Sequence, residues 1–256
     1  MTDTRMRALG LVALSMLAGA AAQAQTASLT PDKDNTLFEM LGLPDLSSGQ
    51  GDLFAGGIAQ QNELGNAYRR RSLLHFNLSS IPAGATITSA TLRIQVTKTI
   101  AGTYQFDLYR MLADWGEGAS NAGGQGTGTN AAAGDATWNY RFFGDASSAW
   151  ATPGGDFSPD IRGTAMIGGI GNYTFTGAGM VADVQAWVNG NQPNYGWMMT
   201  SHFEFLTSIA KRISSGEASN VSARPTLIVN YTVPSPGVGA VLAGGLALAA
   251  RRRRRV

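Results

Sequence analysis

Trp115, Trp138 and Trp150 stand beside glycine-rich turns rather than inside alternating apolar runs. An indole held in a loop offers a flat apolar face that stacks on a sugar ring, while flanking polar groups take the hydroxyls. Trp115 and Trp150 are the expected ligand platform, and plugging the ends of a β domain is their plainer role; Trp138 and Trp187 are expected to pack in the core. The run Arg69-Arg70-Arg71 can meet an acidic glycan or a phosphate, with Arg69 and Arg71 taken as binding residues, although a solvated strand entry is the plainer reading. Asp32, Asp34, Asp156 and Asp160 lie in turn-like contexts where main-chain carbonyls can join carboxylates around a hard cation. Gly154-Gly155-Asp156 would let the chain fold tightly about such an ion. A structural calcium ion is the one cofactor these residues suggest, with solvated turn aspartates as the simpler account. Asp114 and Glu117 flank Trp115 and have the residue types of a glycosidase acid–base pair, but nothing sets their separation. No Gly-x-Ser-x-Gly elbow occurs, and neither His75 nor His202 has a triad-like context. Cysteine is absent, which excludes thiolate zinc, and two histidines argue against an imidazole zinc site. No catalytic residue is assigned, and the chain is read as a non-enzyme.

The elements that must hold these residues are strands. In Ser72–Leu78, Leu74, Phe76 and Leu78 alternate with Leu73, His75 and Asn77, which puts one apolar set on a single face. Ser79-Ser80-Ile81-Pro82-Ala83-Gly84 is a turn. Thr86–Thr99, rich in β-branched residues, predicts a long strand, and Tyr104–Met111 predicts the next. Thr226–Tyr231 predicts a closing strand after Pro225, a position where proline is tolerated. Only Val181–Val188 suits a short helix. From Gly116 to Gly134 the chain is almost without apolar bulk and reads as a long mobile loop within the domain. Many short strands with glycine punctuation predict an all-β fold, a β-sandwich or jelly roll.

Both ends carry targeting patterns. Arg5 and Arg7 precede an apolar Ala8–Ala22, and Ala22-Gln23-Ala24 is an A-x-A-like cleavage site, so residues 1–24 read as a signal peptide and the mature chain starts near Gln25. At the other end Val233-Pro234-Ser235-Pro236 leads into a Gly/Ala/Leu/Val run to Ala250, followed by Arg251–Arg255. Residues 238–250 would span about 20 Å as a helix, short for a permanent crossing of a roughly 30 Å bilayer core. The arginines favour the cytoplasmic side. A weak C-terminal anchor or a disordered basic tail is the plainer account. Residues 234–256 resemble the PEP-CTERM sorting signal of bacteria with an outer membrane, with Ser235 where that signal has its central glutamate. The resemblance implies transient contact of residues 238–255 with the inner membrane, processing by an exosortase-like protease, and a secreted or cell-surface destination.

The chain has 19 Lys+Arg and 17 Asp+Glu. Setting aside Arg5, Arg7 and the five terminal arginines leaves 12 basic groups, and setting aside Asp3 leaves 16 acidic ones, so residues 25–233 carry a net charge of −4. The basic pI belongs to the tail. Without a basic stripe interleaved with aromatics, nucleic-acid binding is set aside.

Residues 25–233 also resemble the DNRLRE-domain family. The resemblance rests on Arg71–Ile87 followed by Ser89-Ala90-Thr91-Leu92-Arg93-Ile94, then Trp115-Gly116-Glu117, Ala136-Thr137-Trp138, Trp150–Asp156, Val184–Gly190, Asn194-Tyr195-Gly196 and Arg224-Pro225, in that order. Within Asp34–Glu39, Thr36 stands where the family has a basic residue. This resemblance implies a secreted β-sandwich akin to carbohydrate-binding modules, some of which bind acidic polysaccharides. The expected partner is extracellular polysaccharide; the alternatives are a structural or adhesive matrix component and, last, a polysaccharide lyase or hydrolase.

Overall fold

The computed structural model describes residues 23–40, 45–100 and 102–234. The expected signal peptide and sorting tail, Ser235 and the arginine cluster included, therefore lie outside the described residues except for Gln23, Ala24 and Pro234. Among the described residues no helix is long and apolar enough to cross a membrane. Ala24–Val233 form one compact unit.

That unit is mostly strand. In chain order the strands are β1 (Gln23–Leu29), β2 (Lys33–Phe38), β3 (Leu46–Ser47), β4 (Leu53–Gln61), β5 (Ala67–His75), β6 (Thr86–Thr99) and β7 (Tyr104–Met111). They continue as β8 (Thr129–Asn130), β9 (Phe157–Ile167), β10 (Gly171–Thr176), β11 (Trp197–Ser201), β12 (Lys211–Ile213) and β13 (Thr226–Val233), with helix α1 (Ala178–Val188) between β10 and β11. The main sheet runs β1-β13-β6-β10-β9-β7-β11-β5-β4-β12, and β12 pairs back onto β6, which closes a barrel-like circuit. The fourteen-residue β6 makes this closure possible. Antiparallel to it, β10 pairs with Thr91–Val96, β13 with Thr86–Arg93, and β12 with Val96–Thr99. β2 pairs along the length of β5, from Lys33 opposite His75 to Phe38 opposite Arg70. β3 and β8 form a separate two-stranded ribbon.

Alternation explains the first core. Ile87, Leu92, Ile94 and Val96 of β6 point inward with Leu74 and Phe76, Phe106 and Leu108, and Phe175. Met180, Val184 and Trp187 of α1, spaced four and three apart, close one side, with Trp187 packed 4.8 Å from Trp197. The expected strands over 86–99 and 104–111 and the short helix near 181–188 are all present. One face differs from expectation. Leu73 is fully buried instead of sharing a polar outer face with His75, because a second core of Leu37, Leu73, Met111, Trp115, Ala136, Trp138, Trp150 and Met198 covers that side.

Candidate functional site

The glycine-rich stretch that follows Trp115 is expected to be mobile. It is tied down instead. Ser120 O accepts from Gln50 N at 2.8 Å, Gly123 O from Asp52 N at 3.0 Å, and Gly116 N and O bond to Arg141 O and Ala136 N. Asn35 is the pin: its Nδ2 donates to Glu117 O at 2.8 Å, and its Oδ1 accepts from Ser47 Oγ and Ser48 N. Gly116 must be glycine here, since a Cβ would run into the Gly134 carbonyl.

This packing corrects the tryptophan platform. Trp115 is 0% exposed with its Nε1 donating to Tyr195 O at 2.9 Å, and Trp150 is 5% exposed with its Nε1 donating to Thr137 O at 2.9 Å. With both rings inside the second core, neither offers a face to a sugar. Trp138, expected in a core, is in one.

Arg69 and Arg71 stay together at the rim of that core. Both belong to β5, two residues apart, and so share a side. Arg69 clasps Glu39 with Nε–Oε2 and Nη2–Oε1 distances of 2.7 Å each. Arg71 clasps Glu204, Nη2–Oε1 2.6 Å and Nε–Oε2 3.0 Å, and Thr200 Oγ1 donates to the same carboxylate. Both guanidiniums lie over Trp138, and Arg69 also lies over Phe205 at 4.9 Å. Burial alone would raise the Glu204 carboxyl; the hydrogen bond and charge of Arg71, with Thr200 and Arg69, outweigh it and hold the group below the ordinary carboxylate range. Beside them lies a groove of about 280 Å³ lined by Arg71, Tyr109, Phe157, His202, Glu204 and Phe205 among others. Burial, then the charges of Asp107 and Glu204, push the Tyr109 phenol up to about 12, so it remains a hydrogen-bond donor at neutral pH. Phe205, which lines the groove, is 54% exposed, and Phe203 is 47% exposed. The sequence carries a signal for them in His202-Phe203-Glu204-Phe205-Leu206, three bulky apolar residues within four positions and outside any expected strand.

The four aspartates do not converge. Asp32 pairs with His75 at 2.6 Å. Asp156 accepts the amides of Ala151 and Thr152, both at 3.0 Å, so the Gly154-Gly155 turn wraps donors around its carboxylate and leaves no cation cradle. Asp160 is exposed beside Ser158. Asp34 alone is buried, and it meets two glutamates that the sequence does not set near it: Asp34, Glu117 and Glu217 place carboxylate oxygens within 4.8 Å of one another. Burial first, then Glu217 and Glu117, raise the Asp34 carboxyl well above its usual range, against the Gly216 amide that lowers it. Glu117 is raised as well, by burial and by Glu217 and Asp32, against the Asp34 amide and Lys33. Asp114 faces elsewhere, held by Lys33 Nζ at 2.8 Å, so Asp114 and Glu117 are committed to different partners.

A mostly-β domain with an aromatic, hydrogen-bonding groove has the character of a carbohydrate-binding module. In agreement, residues 57–139, about a third of the chain, match the model of carbohydrate-binding module family 96, a segment that contributes Arg69, Arg71, Tyr109 and Trp138. No curated protein matches the chain.

Proposed function

We propose that this protein is an exported, non-catalytic module that holds extracellular polysaccharide at the cell surface. The match of residues 57–139 to a carbohydrate-binding module family carries the reading. The sugar site is the groove beside Arg71, Tyr109 and Phe205, on a barrel flattened as in a jelly roll. There the exposed Phe205 ring stacks on a sugar face, while the fixed guanidinium and carboxylate groups, the Tyr109 phenol and His202 take hydroxyls. Each arginine is matched by a carboxylate, so this groove suits neutral hydroxyls at least as well as a dense negative charge. The leader-like and tail-like ends support export, sorting by an exosortase-like protease and transient membrane contact through residues 238–255.

Affinity electrophoresis in gels containing neutral or acidic polysaccharides tests the reading. Retardation in one class, lost in Phe205→Ala with the fold kept, is the expected result. A folded protein that no polysaccharide retards would instead be a structural or adhesive matrix component. Release of sugar products dependent on Asp114 or Glu117 would make it an enzyme.

A further inference from the structure

Among the described residues the buried carboxylates have partners on both oxygens, with one exception. Asp183 has Arg162 at 2.6 Å and the Trp197 Nε1–H at 2.9 Å; Asp107 has His202 at 2.7 Å and Gln105 Nε2 at 2.8 Å; Asp135 has the Ser120 and Ala132 amides. Asp34 is 0% exposed, its Oδ2 accepts from Gly216 N at 2.6 Å, and its Oδ1 is buried without any hydrogen-bond partner. An unpaired buried carboxylate oxygen costs free energy that a folded chain ordinarily avoids. Around it stand more negative groups, Glu117 and Glu217. The nearby cation, Lys33, is spoken for: its Nζ donates to Asp114 Oδ1 and to Trp115 O at 2.7 Å.

We propose that Asp34, Glu117 and Glu217 bind a calcium ion that ties β2 to the turn after Trp115 and to the Ser215–Ala218 turn. The donor set is all oxygen and all carboxylate, which selects a hard divalent cation and excludes soft ones. Three carboxylates, each able to bind through one or two oxygens, meet much of the six to eight that calcium takes, and the exposed side at Glu217 admits water for the rest. Magnesium demands a compact octahedron and gives up its waters reluctantly, so it fits less well. The frame is built before the ion arrives. The Asp34 amide donates to Glu117 Oε1 at 2.9 Å, and Asn35 fixes the Glu117 carbonyl. Gly216 lies so close that a Cβ there would sit 3.1 Å from Asp34 Oδ2. In a domain without cysteine the ion would act as the cross-link that a disulfide supplies elsewhere. The site stands on different residues from the sugar groove, so either reading can fail alone.

The test is calorimetric titration of the purified protein, stripped with EGTA and dialysed, with calcium chloride and separately with magnesium chloride, while Tm is followed in parallel. One calcium per chain is expected, with Tm rising by roughly 5–10 °C at about a hundredfold excess over Kd. Glu217→Gln should weaken calcium binding by about tenfold or more, and Asp34→Asn should abolish it. Asp156→Asn, whose carboxylate caps its own turn, should leave the isotherm unchanged. Two results would overturn the proposal: no heat together with the same Tm in EGTA and in calcium, as a shared proton would give, or a calcium isotherm unchanged by Glu217→Gln and Asp34→Asn. If Asp34→Asn does not fold, Glu217→Gln at the exposed rim decides alone.

Discussion

Two groups of acidic side chains are resolved in opposite ways. At β5, Glu39 and Glu204 are each clasped by an arginine, and Thr200 adds a donor to Glu204. At β2, Asp34, Glu117 and Glu217 face one another, with Lys33 turned to Asp114. The first group is complete within the chain. The second has its amide donors in place and lacks only positive charge. The contrast teaches that burial alone does not mark a carboxylate as a candidate ligand, whereas a buried oxygen left without any partner does.

The largest effect should come from breaking a completed pair. Asp183→Ala leaves Arg162 and the Trp197 indole N–H without their buried acceptor and should cost about 3–5 kcal/mol in urea unfolding. Glu204→Gln should cost less, about 2–3 kcal/mol at neutral pH, because the pair is near the surface. Its pH dependence sharpens the point. Glu204 is held below its ordinary range in the folded state, so its contribution is present above the unfolded-state value of about 4.3 and is lost as pH falls through the folded value. The stability gap between wild type and Glu204→Gln should therefore close on acidification, as read from urea midpoints at a series of pH values. In the unpaired group the sign should reverse: in EGTA, Asp34→Asn should stabilise the protein by about 1 kcal/mol, since it removes a repelled charge. The smallest change is at the exposed Asp32–His75 pair, where Asp32→Asn should shift stability by no more than about 0.5 kcal/mol.

How far the sequence was legible follows from how local each signal is. Strand β6 announces itself through alternation over its own fourteen residues. The second core does not, because its tryptophans are recruited from three separate loop positions. A signal was nonetheless present: Leu73-Leu74 and Trp197-Met198-Met199 are consecutive apolar residues, the pattern of a strand buried on both faces. Arg69 and Arg71 stand out as part of a run of three arginines, but their carboxylate partners come from positions 39 and 204. The carboxylate cluster draws on positions 34, 117 and 217, so no spacing rule reaches it. Asp34 stood out through its turn-like context, Glu117 through its neighbour Trp115, and Glu217 through nothing local.

The edge of the sheet has a consequence for the order in which the molecule is assembled. In the sheet β1 neighbours only β13, joined by Gln25–Tyr231 and Thr26–Asn230 side-chain bonds that span 206 and 204 residues. β1 must therefore wait for β13 before it can pair, and β6 likewise gains this neighbour only once β13 is present. Contacts of such sequence separation close slowly. The pairing of β1 with β13 is thus a late seal on the domain, made across almost the whole described chain.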